Sequence, residues 1–297
     1  MLDDTVCIVC GAGHGLGEET AVAMAEQGAT VVVNDLGVDV SGEGSDAEPA
    51  EETVERIEDA GGEAVAHFGD VTDFEYTERL VRETHEQFGA VHSVTNFAGV
   101  LRDRMLFNMS EAEWDTVVDV HLKGHFSLLR AAGAHWREQA KAGEIDRERS
   151  FTCVSSGVSV GNAGQANYSA AKAGILGLMR TAAQELQRYD VRVNAMWPTA
   201  LTRMTEDLPG MAGADPETMG PQLAPAVPVF LASEASEGVT GCTLAIMGGD
   251  VAYVSDPARE RSLSTENEDG RWTAAELADR WGELTEGFET AKLDRGY

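Results

Sequence analysis

The chain has 297 residues, a length that suits one large α/β domain or two small ones with an ample hydrophobic core. Its 51 acidic residues against 22 basic ones give a net charge of −29, and such a surface repels nucleic acid and anionic membranes. A hydrophobic content of 43% excludes disorder over most of the chain. No stretch resembles a secretory signal or approaches the ~18 apolar residues of a membrane span, so we expect a cytoplasmic protein.

The surplus of carboxylates comes with a shortage of lysine, since only Lys123, Lys141, Lys172 and Lys292 occur. A carboxylate-rich, lysine-poor surface is expected in a cytoplasm of high salt, where the Debye length is about 3 Å at 1 M and self-repulsion is screened. We therefore hypothesise a halophilic source. Unfolding the protein across a salt series tests this hypothesis, and full stability in dilute buffer would contradict it.

The four cysteines, Cys7, Cys10, Cys153 and Cys242, are too few for a disulfide scaffold in a chain of this length. Cys7 and Cys10 form a C-x-x-C motif that could suggest zinc or redox chemistry. However, this motif lies in a strand-like run, where residues three apart point to opposite faces. No second cysteine or histidine pair completes a metal site, so we predict small core residues and no metal.

Strand-like and helix-like segments alternate along most of the chain. Short apolar, β-branched runs predict strands at Thr5–Cys10, Thr30–Asn34, Glu63–Phe68, Val91–Thr95, Phe151–Val154, Val191–Met196 and Cys242–Ile246. Helical patterns lie between them at Gly17–Gln27, Ala50–Ala60, Phe74–Phe88, Glu111–Ala140, Tyr168–Arg188 and Gln222–Ala232. This alternation predicts an α/β fold, a single Rossmann-type, doubly wound parallel sheet of about seven strands with helices on both faces.

The last predicted strand ends shortly before residue 249, which divides the chain into two parts. We predict a dinucleotide-binding catalytic domain over residues 1–249. Residues 250–297 are expected to be a C-terminal extension that packs on this domain or on a neighbouring subunit. The extension should contain a helix over Thr273–Thr285, because Thr273 and Glu276 have the spacing of a capping box.

A glycine-rich turn follows the first predicted strand directly and opens a helix. It reads Gly11-Ala-Gly-His-Gly15-Leu16-Gly17. Its glycines let the backbone turn sharply and approach a pyrophosphate, and the helix N-terminus adds free N–H groups and a positive dipole end. The strand–turn–helix context near the amino terminus supports a dinucleotide site over a merely tight turn.

The ends of the next strands carry polar residues suited to the rest of a dinucleotide. Asp35 can accept hydrogen bonds from both adenosine ribose hydroxyls and would repel a 2′-phosphate, and His14 is the only weak basic candidate nearby. We therefore predict NAD rather than NADP. Asp70 and Val71 are placed for the adenine, while Asn96-Phe-Ala98-Gly99 supplies a second glycine turn beside the cofactor. Taken alone, these last segments are equally compatible with ordinary loop chemistry.

Three side chains after the fifth strand are suited to work on one carbonyl. Ser155 lies just beyond the strand, at the edge where open parallel sheets keep their ligands. Tyr168 and Lys172 are four residues apart, so they share one face of the predicted helix. By itself, the Y-x-x-x-K pattern is a weak signal that occurs by chance in many helices.

Together and in this order, these features resemble the short-chain dehydrogenase/reductase family, from about Leu2 to Gly249. Within the family, the chain more closely resembles one branch, the (3R)-hydroxyacyl-CoA dehydrogenase domain of peroxisomal multifunctional enzyme type 2. The 3-oxoacyl-carrier-protein reductases resemble it more distantly. The segments that carry the closer similarity are 33–37, Val120–Gly124, Gly161–Lys172 and Arg203–Thr205.

The resemblance implies roles for the site residues. Tyr168 acts as base in oxidation and acid in reduction, Lys172 lowers its pKa and holds the nicotinamide ribose, and Ser155 binds the substrate oxygen. The chain departs from the family pattern at two positions. His121 replaces the usual asparagine, where it could anchor a water and so support a proton relay, or hold a helix distortion. Pro198-Thr199 replaces Pro-Gly beside the nicotinamide.

These features predict an NAD-dependent oxidoreductase that interconverts a secondary alcohol and a ketone, with a 3-hydroxyacyl thioester (CoA) as the favoured substrate. The alternatives are a dehydrogenase of a free alcohol, sugar or steroid, and a non-catalytic NAD-binding sensor. Leu101–Ser110 and Pro198–Gly220 are expected to form the pocket, and Arg102 and Arg104 either meet a coenzyme A phosphate or are solvated charges. The family resemblance also implies a homodimer or homotetramer that uses the helices at 111–140 and 168–188.

Overall fold

Strands and helices alternate through the first 254 residues, and the strands form one eight-stranded sheet. The computed structural model describes residues 1–38, 44, 46–202, 204–206, 213–268 and 270–287. Contacts divide the chain into two units, Met1–Val254 and Ser255–Tyr297. The strands are β1 Val6–Cys10, β2 Thr30–Asp35, β3 Glu63–Phe68, β4 Ser93–Asn96, β5 Arg149–Val154, β6 Val191–Thr199, β7 Thr243–Met247 and β8 Asp250–Val254.

The strand order is β3-β2-β1-β4-β5-β6-β7-β8, with β8 antiparallel to β7 and every other neighbouring pair parallel. The order therefore reverses between β1 and β4. In a doubly wound sheet the ligand crevice opens at this reversal, outside the carboxyl ends of the strands. The register aligns Cys10 with Asn34 on one side and with Asn96 on the other, so these strands end level at that edge.

The predicted fold is confirmed, with one strand more than expected. Residues Asp250–Val254 were assigned to the extension, yet they form β8 and pair with β7. Gly248, with φ +54°, and Gly249 provide the tight reversal between the two strands. The compact unit consequently ends at Val254 and not at 249. Packing of the remaining extension on the domain or on a neighbour stays a prediction.

Helices of the first unit cover both faces of the sheet. They are α1 Gly15–Glu26, α2 Glu48–Asp59, α3 Phe74–Phe88, α4 Glu111–Val118, α5 Gly124–Ala142, α6 Ala166–Leu186, α7 Pro216–Met219 and α8 Ala226–Ala232. One helix was predicted over Glu111–Ala140. It is divided into α4 and α5 by a π-helical turn at Asp119–Lys123.

Alternate residues of the central strands fill two separate hydrophobic layers, because successive side chains of a strand point to opposite faces. One layer contains Ile8 and Phe151 with Trp136 of α5, whose indole N–H donates to the carbonyl of Val91 at 2.7 Å. The other contains Val9 and packs against α1 and α2. Burial on both faces explains why the strands read as continuous apolar runs.

Two smaller expectations concern single elements. Cys7 and Cys10 are fully buried in β1, as predicted for core residues, and all four thiols are free. Strand β6 continues past the predicted end at Met196 to Thr199, so Pro198 lies inside the strand, opposite Ile246 of β7. Among the described residues, the helices are all too short or too polar to cross a membrane.

The described part of the second unit contains two short helices, α9 Ala274–Asp279 and α10 Trp281–Thr285, where one helix was predicted. The hydroxyl of Thr273 accepts from the backbone N–H of Glu276 at 3.1 Å, which is the predicted cap. The Glu276 carboxylate in turn accepts from the hydroxyl of Thr265 at 2.7 Å. Helical conformation is interrupted at Arg280, whose guanidinium lies 5.4 Å from the centre of the Trp272 ring.

Candidate active site

The glycine-rich turn joins β1 to α1 at the carboxyl edge, and two close approaches of backbone explain its glycines. Gly11 has φ +68°, and a Cβ there would lie 2.4 Å from the amide nitrogen of Ala98. A Cβ on Gly17 would lie 2.0 Å from the carbonyl oxygen of Gly11. Helix α1 begins at Gly15, and the side chain of His14 makes no capping hydrogen bond within the described chain. The first N–H groups of α1 are therefore available to an anion such as a pyrophosphate.

The carboxylate of Asp35, at the end of β2, holds the glycine turn in place. One oxygen accepts from the N–H of Gly13 at 2.7 Å, and the other accepts from the N–H of Gly37 at 2.7 Å. Each carboxylate oxygen has a second acceptor site, so both remain able to bind a ribose hydroxyl. Asp35 is only partly buried, which leaves it accessible to a ligand on the turn.

The other residues predicted to hold the cofactor lie at or just beyond the carboxyl ends of the strands. Asp70 accepts from the N–H of Thr72 at 2.8 Å and shapes the turn after β3. Asn96 is fully buried, and its Oδ1 accepts from the N–H of Ala98 at 3.1 Å. The structure places along this edge Leu16, Asp70, Val71, Asn96, Ala98, Gly99 and Pro198.

The predicted acid–base residues meet beyond the end of β5. The Lys172 ammonium donates to the carbonyl of Val154 at 2.8 Å and lies 5.3 Å from the centre of the Tyr168 ring. The imidazole of His121 meets the same ring edge to face, with the centroids 4.9 Å apart. Sequence separation had placed only Tyr168 and Lys172 together. The fold adds His121 from the π-helical turn.

The two serines after β5 point to different partners. The Ser155 hydroxyl donates to the backbone carbonyl of Lys172 at 2.9 Å, and the residue is 1% exposed. Ser156, which the sequence analysis passed over, hydrogen-bonds the Tyr168 phenol with its side chain. Its hydroxyl also accepts from the N–H of Val158 at 3.4 Å. In this structure the hydroxyl beside the phenol thus belongs to Ser156.

Burial dominates the electrostatics of the cluster. It raises the pKa of Tyr168 to about 12, against the lowering effect of the Ser156 hydrogen bond and with a further small rise from Asp103. It lowers the pKa of Lys172 to about 7. Burial, followed by the charge of Lys172, also lowers the pKa of His121 well below its usual value. Desolvation therefore opposes the lowering of the phenol pKa that the resemblance implies for Lys172. In the protein alone, the phenol stays neutral.

His121 fits the second of its predicted roles, because it lies in the π-helical turn. Its Nε2 lies 3.1 Å from the backbone nitrogen of Val100 and 2.9 Å from the carbonyl oxygen of the same residue. Its Nδ1 is buried without a hydrogen-bond partner in the described part of the chain. The ring packs directly against the backbone of Gly99. The neutral imidazole therefore stabilises the turn after β4 through Nε2, and its Nδ1 can still form a hydrogen bond.

His125 is a buried member of the cluster that the sequence analysis missed. The residue is 0% exposed, and its Nε2 accepts from the N–H of Val154 at 3.0 Å. Its Nδ1 lies 2.6 Å from the carbonyl oxygen of His121 and 3.1 Å from the amide nitrogen of Asn96. The available signal was its position four residues after His121, which puts both on one face of a helix.

Asn167, directly before the predicted base, was missed as well. It is 0% exposed, and its amide nitrogen donates to the carbonyls of Arg102 at 3.0 Å and Glu113 at 2.9 Å. Its side-chain oxygen accepts from the N–H of Tyr168 at 2.8 Å. One asparagine therefore ties the start of α6 to the loop after β4 and to α4. This contact fixes where the phenol stands relative to that loop.

The loop Leu101–Ser110 borders the cluster and contains Arg102 and Arg104, the two arginines considered for a coenzyme A phosphate. Arg104 donates to the carboxylate of Glu113 at 2.8–2.9 Å, so its charge is already compensated. Gln165 donates to the carboxylate of Asp103 at 2.8 Å and links the loop to the segment before α6. Beyond these contacts three apolar side chains are exposed: Met105, Leu106 and Phe107.

The second predicted pocket loop, Pro198–Gly220, is described in part. Its described portion places the Thr202 side chain 3.7 Å from where a Cβ on Gly15 would stand, next to the glycine turn. Arg203, part of the segment that carried the closer family similarity, and residues 207–212 lie outside the described residues.

Comparison with known proteins agrees with this geometry. Residues 5–211 match the family model for short chain dehydrogenases. The chain is 40% identical over 287 residues to the hydroxyacyl-CoA dehydrogenase ChsB1 of Mycobacterium tuberculosis, covering 93% of this chain and 87% of that protein. It is 44% identical over 206 residues to peroxisomal multifunctional enzyme type 2 of Drosophila melanogaster, covering 69% of this chain and 33% of that longer enzyme.

A solved structure gives the same result for the fold. The crystal structure of a short chain dehydrogenase from Mycobacterium avium superposes with a TM-score of 0.86 at 38% identity, covering 97% of both chains. The family resemblance predicted from the glycine turn and the Tyr168–Lys172 pair is therefore confirmed. The chain belongs to the short-chain dehydrogenase family, whose members are oxidoreductases acting on CH–OH groups with nicotinamide cofactors.

Proposed function

We propose that this protein is an NAD-dependent dehydrogenase that interconverts a 3-hydroxyacyl thioester of coenzyme A and its 3-oxo form. The observation that carries the chemistry is the meeting of Tyr168, Lys172 and His121 at the carboxyl end of β5. A phenol, an ammonium and an imidazole in contact provide a proton donor or acceptor, a positive charge and a relay group for a carbonyl oxygen.

The residues present fit a dinucleotide. The turn around Gly11 and Gly17 leaves no room for side chains, so a pyrophosphate can approach the backbone N–H groups at the start of α1. The Asp35 carboxylate would bind the adenosine ribose hydroxyls and repel a 2′-phosphate, which supports NAD over NADP. When bound, the nicotinamide supplies the hydride acceptor or donor.

The acid–base work falls to the protein. In oxidation, Tyr168 accepts the hydroxyl proton of the substrate, and in reduction it returns that proton to the carbonyl oxygen. Since burial keeps the phenol neutral in the protein alone, the site needs added positive charge to form the phenolate. Lys172 supplies such a charge from within the cluster and, by family resemblance, would hold the nicotinamide ribose. Ser155 would hydrogen-bond the substrate oxygen after turning from its contact with α6, and His121 would pass the proton onward.

The substrate class rests on similarity rather than on pocket geometry. The relative ChsB1 is named as a hydroxyacyl-CoA dehydrogenase, and the family branch identified from the sequence is also one of hydroxyacyl-CoA dehydrogenases. The exposed apolar side chains of Met105, Leu106 and Phe107 beside the cluster suit an acyl chain better than a sugar. Because Arg104 is paired with Glu113, Arg102 is the better candidate for a coenzyme A phosphate in this loop.

Oxidation assays test the proposal, with the near-ultraviolet absorbance of the reduced nicotinamide as readout. The purified protein is offered (3R)-3-hydroxybutyryl-CoA, a free secondary alcohol and a hydroxysteroid, each with NAD⁺ and with NADP⁺. We expect the highest kcat/KM for the thioester with NAD⁺. A higher kcat/KM for the alcohol or the steroid would show that acyl thioesters are not the substrate class. Preference for NADP⁺ would show that Asp35 does not exclude a 2′-phosphate. Cofactor binding without turnover of any substrate would favour the sensor alternative.

The oligomeric state is a separate part of the proposal. A homodimer or homotetramer built on α4, α5 and α6 is supported by two half-exposed aromatic side chains, Trp114 of α4 at 39% and Phe126 of α5 at 43%. Light scattering of the purified protein measures the number of subunits, and a monomer at micromolar concentration would contradict the proposed dimer or tetramer.

A further inference from the structure

We infer that His125 is a positioning residue of this site, one that sets the place of the Lys172 ammonium by clamping Val154. The inference rests on the proposed function only in that the reaction uses Tyr168 and Lys172. It concerns a histidine that neither the family pattern nor the sequence analysis assigned.

Val154, the last residue of β5, is held from two sides. Its N–H donates to Nε2 of His125 at 3.0 Å, and its carbonyl accepts from the Lys172 ammonium at 2.8 Å. The N–H of the following residue, Ser155, donates to the carbonyl of Met196 in β6 at 2.8 Å. The direction of the Val154 carbonyl, and with it the position of the lysine, therefore depends on the histidine and on the neighbouring strand.

The contacts of His125 require one tautomer. Because Nε2 accepts from Val154, it carries no proton, so in the neutral ring the proton resides on Nδ1. That N–H donates to the carbonyl oxygen of His121 at 2.6 Å. A single ring thus connects the end of β5 to the π-helical turn, and through them the lysine to His121.

The surroundings keep this ring neutral. Burial, followed by the charge of Lys172, lowers the pKa of His125 to about 3. The groups that face it are Lys172 of α6, His121 of the π-helical turn and the uncharged amide of Asn96 at the end of β4. No carboxylate is among them, so the tautomer persists through the pH range in which a dehydrogenase works.

Removal of the clamp should therefore act on the phenol through the lysine. In His125→Leu, Val154 loses its acceptor and the His121 carbonyl loses its donor, while the apolar volume is kept. The ammonium is then held less closely to the Tyr168 ring and stabilises the phenolate less. We expect kcat for oxidation to fall about tenfold with KM little changed, and the pKa seen in the pH–kcat profile to rise by about one unit.

Two further variants separate positioning from folding. His125→Gln carries an acceptor and a donor on one side chain and should restore most of kcat and the wild-type profile. His125→Asn is shorter, keeps a donor near His121 and loses reach to Val154, so its profile should shift like that of the leucine variant. The matched control is Ser127→Ala on the same helix. Ser127 is 1% exposed and bonds Thr77 at 2.7 Å, so this change should lower the melting temperature and leave the profile unmoved.

The decisive readout needs no substrate, which separates this inference from the proposed function. The phenolate absorbance of the protein saturated with NAD⁺ is followed against pH, with Tyr168→Phe as the blank. A rise in the phenol pKa for His125→Leu and His125→Asn, reversed in His125→Gln, supports the inference even if every thioester fails as substrate. An unchanged phenol pKa in both the leucine and asparagine variants would overturn it. Any loss of stability in these variants would then show that His125 contributes to folding only.

Discussion

The two halves of the crevice are built by different means. On the β1–β2 side, the glycine turn packs backbone against backbone, and the side chains of Asp35 and Thr53 hydrogen-bond to it. On the β4–β5 side, buried side chains bind backbone groups of other elements, as Lys172 and His125 both do at Val154. Close backbone packing tolerates no added atom, whereas a side-chain clamp can be replaced by another side chain of similar reach. The first half should therefore respond to added volume and the second to lost hydrogen bonds.

The largest effect is expected on the side-chain half. Tyr168→Phe removes the proton acceptor and little volume, so turnover should fall by about 10³-fold, within the range for loss of a general base. The affinity for NAD⁺ should stay near the wild-type value, since the glycine turn is untouched. Steady-state kinetics and cofactor titration measure the two quantities. The control is Tyr189→Phe, a partly buried tyrosine in the 3₁₀ turn Gln187–Tyr189 after α6. Wild-type turnover by Tyr168→Phe would remove Tyr168 from the mechanism.

Next in size is the difference between the two serines, which tests how far the side-chain half rearranges. Ser155→Ala should lower kcat by about 10²-fold, as removal of a donor to a developing oxyanion does. Ser156→Ala should cost only about threefold and raise the kinetic pKa of the phenol slightly, because its hydrogen bond lowers that pKa. The opposite ranking would mean that Ser155 keeps its contact with Lys172 during turnover and that Ser156 binds the substrate.

Gly17→Ala tests the β1–β2 half of the crevice, where backbone packs against backbone. A Cβ there would lie 2.0 Å from the carbonyl oxygen of Gly11, so the turn must shift away from α1. We expect the dissociation constant for NAD⁺ to rise at least about tenfold, equivalent to about 1.4 kcal/mol, with kcat at saturating cofactor less affected. Gly177→Ala in the exposed face of α6 is the matched control. Nothing in the described chain lies within 4 Å of its added Cβ, so the affinity for NAD⁺ should stay at the wild-type value. Equal cofactor affinity in both variants would contradict the comparison.

The same contrast explains what could be read from the sequence. The glycine turn was predictable because close backbone approach excludes every other residue at Gly11 and Gly17. The Tyr168–Lys172 pair was predictable because helical spacing alone puts the two on one face. His125 left only its helical spacing from His121 and Asn167 left no mark, since most of their partners are backbone carbonyl and N–H groups that do not distinguish one residue type from another. These contacts exist only once β5, the π-helical turn and α6 have packed together.

Two other outcomes depended on packing in the same way. Strand β8 has only five residues, and its exposed Val251 and Tyr253 give no buried pattern, so only its pairing with β7 identifies it. The resemblance implies that Lys172 lowers the pKa of Tyr168, whereas in the protein alone burial raises that pKa. Burial is a property of the whole tertiary structure, and it outweighs a charge that local spacing can reveal.

The smallest expected effect is on stability in acid, where two buried histidines next to opposite ends of β4 form a matched pair. His125 serves the site, while His92 at the opposite end of β4 accepts from the N–H of Val6 at 2.9 Å. Burial lowers the pKa of His125 to about 3 and that of His92 to about 4. An unfolded histidine titrates near ~6.5, so between these values the unfolded chain binds more protons than the native one. Stability therefore holds above about pH 6.5 and is lost as the pH falls toward the folded values.

Each histidine should contribute about one proton to this slope, or about 1.4 kcal/mol per pH unit. Urea unfolding at a series of pH values measures it for the wild type, His125→Gln and His92→Gln. Both variants should flatten the slope by similar amounts, because the glutamine amide makes hydrogen bonds without titrating. Wild-type slopes in both would mean that neither ring is held neutral. If only His92→Gln flattened the slope, His125 would be able to take up a proton in the folded protein, and a ring protonated at Nε2 could no longer accept from Val154.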